Sequence, residues 1–190
     1  MKQCMILLAI VGVVSAQELI TNGAFEQEWS IGWSGDSSYW YPILGDTIDR
    51  AADFHPDPDY EVRVKKYDHD YAKVYQTVTV PLIDYLTFHV YAKFYAIEFN
   101  PLAPQWAAAS IVLSYLNNND SLLGETRICY KTPHCPWTNS PTFHMIEVTD
   151  TINWSDYSFN IDDELVNLPG INPSDIAKIT VALFDTTDGC

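Results

Sequence analysis

Catalysis needs side chains held at set distances, and this chain offers many of the right type but no spacing that selects among them. Its 25 Asp and Glu residues allow any number of carboxylate pairs for glycosidic hydrolysis, which requires two of them about 5 to 9.5 Å apart, and none is marked out. The five histidines, at positions 55, 69, 89, 134 and 144, stand outside any motif. There is no Gly-x-Ser-x-Gly elbow, no His-Glu-x-x-His and no glycine loop that could cradle a phosphate. Asp46, Asp49, Asp53, Asp57 and Asp59 crowd one stretch, but not at EF-hand spacing, so they read as a solvated acidic loop. Cys129 and Cys135 are near enough to close a ring around Tyr130 to His134. His134 and His144 nearby open a metal reading, but the spacing matches no zinc pattern, and in an oxidising compartment a disulfide worth about 2 kcal/mol is favoured over both metal and nucleophile. Cys190 is left over. The expectation is a non-catalytic protein.

What the residue types do supply is surface for binding. Aromatic residues make up 14% of the chain, and several fall between the regular segments. Tyr39, Trp40 and Tyr41 lie in a first irregular stretch, Trp106 ends a second at Phe99 to Trp106, and Trp137 lies in a third at Cys129 to Pro141. A flat alternative lies on a strand, where His89, Tyr91 and Lys93 share a face.

The elements that must position these groups are strands. Helix-period stretches with caps are nearly absent, whereas β-branched and aromatic runs recur between clusters of Pro, Asn, Asp and Gly. Strands are predicted at Ala72 to Val80, Leu86 to Ala96, Ala108 to Leu116, Phe143 to Val148, Ser155 to Ile161 and Ala177 to Phe184, antiparallel and in two packed sheets. Alternation puts Leu86, Phe88, Val90, Ala92 and Phe94 in the core and Thr87, His89, Tyr91, Lys93 and Tyr95 outside. Gln76 shares the apolar face of Val74, Val78 and Val80, so it needs a partner inside. Gly32 to Tyr60 reads as loop. Asp188-Gly189 is hairpin chemistry with only Cys190 after it, which predicts a closing strand beyond the given chain, together with the partner of Cys190.

The first residues have the order of a secretory signal: Lys2, the apolar stretch Met5 to Val14, then Val14-Ser15-Ala16 for cleavage after Ala16. Ten apolar residues at about 1.5 Å each cover half of a roughly 30 Å hydrocarbon core, which excludes a spanning anchor, and no later segment is long enough. Cys4 precedes the apolar stretch and is badly placed for lipid attachment. Residues 17–190 are then one exported domain, outside the cell or on its surface. A formal charge of −15, more negative still once Lys2 is removed, repels nucleic acid and anionic lipid and favours neutral or cationic partners. Asn119-Asp-Ser121 and Asn153-Trp-Ser155 fit the glycosylation acceptor pattern.

Glu18-Leu-Ile-Thr-Asn-Gly-Ala-Phe-Glu26, followed by Gly32-Trp33, resembles the start of carbohydrate-binding modules of the CenC type, which are galactose-binding-like jelly rolls. Val74-Tyr-Gln-Thr-Val-Thr-Val-Pro81 and Tyr85-Leu-Thr-Phe88 are similar to the family's paired strands. Trp154-Ser-Asp-Tyr-Ser-Phe159 resembles its late strand, and Leu168-Pro-Gly-Ile to Leu183 its penultimate one. The resemblance covers nearly the whole of 17–190 and implies an all-β, two-sheet antiparallel sandwich lacking its final strand. It also implies a structural calcium ion held by Glu26 with backbone oxygens and an aspartate of that final strand; a hard cation wants six to eight oxygens, so Glu26 alone is no site.

For function the resemblance implies a secreted module that binds a polysaccharide or other glycan. Sugar rings stack their apolar C–H faces on aromatic planes while their hydroxyls take hydrogen bonds. Trp33 and Trp154 match core positions of the family pattern, which leaves Tyr39, Trp40, Tyr41, Trp106 and Trp137, with His89 and Tyr91 on the sheet, as ligand-binding candidates. Two other roles stay open: a structural or adhesive sandwich of the cell envelope that binds proteins, and the ancillary domain of a longer hydrolase.

Overall fold

The computed structural model describes residues 18–37, 47–52, 59–67, 69–81, 83–97 and 105–188. Among them the strands are β1 (Ser34–Ser37), β2 (Thr47–Ala51), β3 (Glu61–Lys65), β4 (Asp70–Thr79), β5 (Thr87–Ala92), β6 (Ala107–Leu116), β7 (Leu122–Lys131), β8 (Phe143–Glu147), β9 (Ser155–Asn160) and β10 (Lys178–Thr187); one short helix, α1 (Ile161–Leu165), follows β9. A six-stranded sheet in the order β1-β4-β10-β6-β7-β8 stands beside two smaller pairs, β2-β3 and β5-β9. The chain is an all-β sandwich.

Period-2 alternation builds its core. Along β5, Phe88 and Val90 turn inward while Thr87, His89 and Tyr91 stay exposed, and Ala92 and Phe94 continue the buried row. Inward residues of β5 and the segment after it meet those of β9: Phe88 and Phe159 have ring centroids 5.5 Å apart, and Phe94 meets Tyr157 edge-on at 5.6 Å. These rings share one cluster with Val74, Ile111, Leu113, Tyr115, Ile128, Ile179 and Val181 from the inner face of the large sheet. Fully burying a side chain such as Leu113 is worth about 1.5–3 kcal/mol, and this shared layer is what joins the sheets.

Gln76 finds the partners its position demands. It is buried on the inner face of β4, accepts from the Thr21 backbone N–H at 2.7 Å, and donates to the Thr21 and Gly32 carbonyls at 3.0 and 2.7 Å. The same segment is held by Trp33, whose buried indole Nε1 donates to the carbonyls of Thr21 (3.1 Å) and Asn22 (3.3 Å). Trp33 is therefore a core residue, as the resemblance implied.

The strand expectations need four corrections, the first being that β3 lies in none of the predicted strands. β1 and β2 form inside the stretch read as loop, β1 by pairing with β4 and β2 by pairing with β3. β7, a full strand, runs into the stretch from Cys129 that was read as irregular. Its mixed residues, Glu125, Thr126 and Arg127, obscure the alternation until its neighbours are known. Finally, β7 and β8 pair in parallel, whereas every other ladder is antiparallel. A parallel return needs a crossover rather than a tight turn, and residues 132–142 supply it. As for the closing strand, β10 lies between β4 and β6 and is paired along its length on both sides; residues 189–190 lie outside the described ones.

Candidate binding face

Strand register lines up the outer face of the large sheet. Ser114 of β6 stands opposite both Glu125 of β7 and Thr180 of β10, and Thr180 stands opposite Thr77 of β4. One row on, Val112 is opposite Arg127 and Ala182, and Ala182 is opposite Tyr75. The next row carries Ser110, Cys129, Phe184 and Lys73. A groove of about 350 Å³ runs over this face, lined by Lys73, Tyr75, Ser114, Glu125, Arg127, Thr180 and Phe184 with apolar neighbours.

The polar groups of the groove are held by one another. Arg127 donates from Nε and a terminal nitrogen to Glu125 Oε2 at 3.2 and 2.7 Å, while Glu125 Oε1 accepts from Ser114 Oγ at 2.8 Å. The threonine hydroxyls of Thr77 and Thr180 bond at 2.7 Å. Lys73 Nζ sits 3.4 Å from Asp36 Oδ2, which also accepts from the Tyr71 hydroxyl at 2.9 Å. That hydrogen bond, with some burial, raises the Tyr71 phenol above its ordinary range.

The crossover reaches the groove at Arg127. Trp137 lies over the Arg127 guanidinium, 4.2 Å from ring centroid to Cζ, and Phe143 and Phe184 flank the same cation at 4.9 and 5.5 Å. A desolvated cation held against aromatic faces gains roughly 2 kcal/mol, so the crossover is pinned by an attraction that no single strand could provide. Trp106 meets Trp137 edge-on at 6.1 Å.

Trp106 and Trp137 are therefore brought together, half-buried and edge-on to each other rather than as a flat platform. His89 and Tyr91 are not part of this site. They lie on the outward side of β5, across the core, where His89 Nε2 is 3.0 Å from Asp156 Oδ1 and Tyr91 stacks on Trp154 at 5.6 Å. Trp154, assigned to the core by resemblance, is only half-buried. Tyr39, Trp40 and Tyr41 lie outside the described residues.

The calcium expectation at Glu26 meets a guanidinium. Arg50 donates to the backbone oxygens of Phe25 and Glu26 at 2.6 and 2.7 Å, and the Glu26 carboxylate accepts from the Tyr60 N–H at 3.5 Å. Those two backbone oxygens are thus engaged by a fixed positive charge, which is also stacked on Tyr60 at 3.4 Å. Among the described residues no three His, Cys, Asp or Glu groups converge as a metal site.

The expected disulfide is corrected too: Cys129 and Cys135 are both free and buried. Burial, reinforced by the Glu147 carboxylate, pushes the Cys129 thiol up to about 11, and burial also raises Cys135. Thiolate is the form that exchanges, so both are held in the unreactive state. The raised value has a consequence for stability. Between about 8.5 and 11 the unfolded chain releases a thiol proton that the folded chain retains, so the contribution present below that window is lost as pH rises through it. The urea midpoint is expected to fall over this range, and Cys129→Ala to flatten the fall; an equal fall in both proteins would assign it to other groups.

Sequence reasoning missed Lys73, Tyr75, Glu125, Arg127, Thr180 and Phe184. Alternation could have found the first two, because Tyr71, Lys73, Tyr75 and Thr77 are the outward set opposite Val74 and Gln76. The rest depend on which strands become neighbours. The fold and site define an all-β sandwich with an open, aromatic-edged groove on its larger sheet. The chain matches no protein-family model, and no curated protein matches it.

Proposed function

We propose that this chain is an exported, non-catalytic carbohydrate-binding protein whose polysaccharide or glycan ligand lies along the groove of the large sheet. The observation that carries this reading is the juxtaposition, on rigid strands, of aromatic surface from Tyr75 and Phe184 with the polar groups of Lys73, Ser114 and Thr180. A pyranose ring needs both, an apolar plane and hydrogen-bonding groups at fixed places. Sites built on strands lose little freedom when the ligand arrives. Glu125, with its oxygens engaged by Arg127 and Ser114, suits an anchoring role better than proton transfer. The strongly acidic chain favours a neutral sugar over a polyanion. Export rests on the leader at residues 1–16.

Affinity electrophoresis of the full chain in hydroxyethylcellulose, xylan, galactomannan and dextran tests this. At least one polymer should retard it. Lys73→Ala and Tyr75→Ala, both at partly exposed positions, should together weaken that retention about tenfold, the equivalent of about 1.4 kcal/mol from a lost stacking plane and a lost hydrogen bond. Unaltered retention in the double variant, or no retention of the folded chain by any polymer, would overturn the reading. In the second case a protein ligand becomes the better explanation.

A further inference from the structure

The groove does not absorb the aromatic surface on the far side of the sandwich. Strand pairing sets Tyr91 opposite Asp156 and His89 opposite Ser158, so outward neighbours meet on the diagonal. Tyr91 stacks on Trp154 with centroids 5.6 Å apart and planes 29° from parallel. Tyr91 remains 46% exposed and Tyr95, beyond exposed Lys93 along the same row, 62% exposed. Beside the rings, His89 Nε2 lies 3.0 Å from Asp156 Oδ1, with both side chains more than half exposed. Aromatic surface of this kind is usually buried or covered.

We infer that Tyr91 and Trp154, bordered by His89 and Asp156, form a second glycan-binding platform for a neutral sugar chain. Tyr91, backed by the stacked Trp154, offers an exposed aromatic ring on the scale of a pyranose, and the exposed imidazole and carboxylate offer a donor and an acceptor at its rim. Charge selects the ligand. The rim carries the Asp156 carboxylate on a chain of −15 overall, which disfavours a polyanion or an anionic membrane surface and leaves hydroxyl-rich neutral polymer as the fitting occupant. The choice of sugar rests on the carbohydrate reading of the groove; the existence of the platform does not. Because the two sites face away from each other across the core, one straight polymer cannot occupy both. The gain is bridging between polymer chains rather than avidity along one.

The test uses whichever of hydroxyethylcellulose, xylan or galactomannan retards the full chain, read by retardation and by light scattering of the mixture. Wild type should both be retarded and raise scattering. Tyr91→Ala, at an exposed position, should abolish the scattering while its retardation falls by less than about threefold, the groove being intact. The Lys73→Ala, Tyr75→Ala double variant should likewise lose scattering but keep weak retardation through the platform. Wild type that is retarded without scattering, or Tyr91→Ala that scatters like wild type, overturns the second platform and leaves the groove reading untouched. Retardation that survives the groove double variant in full but is lost in Tyr91→Ala overturns the groove reading instead and supports the platform as a site.

Discussion

Glu164→Ala is expected to lower the free energy of unfolding by about 2–3 kcal/mol, the cost of removing a buried acceptor that a buried hydroxyl depends on. The Glu164 residue is only 5% exposed. Its Oε1 accepts from Thr126 Oγ1 at 2.9 Å and lies 2.6 Å from His144 Nδ1, while Oε2 accepts from Asn167 Nδ2 at 3.1 Å. Thr126, itself fully buried, is also 3.1 Å from the hydroxyl of Tyr115, another fully buried residue. Burial pushes that phenol well above its ordinary range, so the Tyr115 proton stays in the network at any ordinary pH. One carboxylate thus ties α1 to β6, β7 and β8. Truncation leaves the fully buried Thr126 hydroxyl without that acceptor, a loss of about 1–3 kcal/mol, while half-buried His144 and exposed Asn167 can turn to water. Glu164→Gln retains one acceptor oxygen and should cost clearly less. Urea unfolding checks this, with Val166→Ala, two residues on at a 79% exposed position, as the surface comparison. A Glu164→Ala midpoint no lower than that of Val166→Ala would refute the structural role.

The second large effect is steric. A Cβ added at Gly124 of β7 would stand 2.4 Å from the Thr142 carbonyl oxygen and 2.5 Å from Ile171 Cδ1. The isoleucine can rotate, but the carbonyl is held by the Glu125 N–H at 2.9 Å, so the clash falls on backbone. Gly124→Ala should therefore cost about 2–3 kcal/mol, at the upper end for overpacking. It should also shift the end of the crossover that carries Trp137. Unfolding free energy and native tryptophan fluorescence should both change. Gly23→Ala, whose nearest contact would be the Glu18 side chain at 3.0 Å, should leave both nearly as they were. Similar behaviour of the two variants would show that the crossover is not pinned at Gly124.

Some of this was legible along the chain and some was not, for identifiable reasons. β4, β5, β6, β9 and β10 were read close to their true limits because each carries its own alternation, a property of a few adjacent residues. Gln76 was recognised as a buried amide in need of partners by the same logic, though its partners, Thr21 and Gly32, lie far away in sequence. β1 and β2 escaped because short, polar strands exist only by virtue of the neighbour they pair with. Trp106 and Trp137 were picked as loop aromatics, and the fold does join them, but edge-on to each other rather than as an open stacking plane.

The sequence by itself determined that this is an all-β chain, which faces of its main strands are buried, and that no familiar catalytic motif is present; these follow from residue type and period-2 spacing, which are local. The tertiary structure decided the parallel pairing of β7 with β8, the path of the crossover and the assembly of the groove. It also decided the exposure of the Tyr91–Trp154 stack and the unbonded state of Cys129 and Cys135. Those outcomes depend on which distant segments become neighbours, and the competing free energies of long-range pairing, burial and charge are settled only when the whole chain is packed.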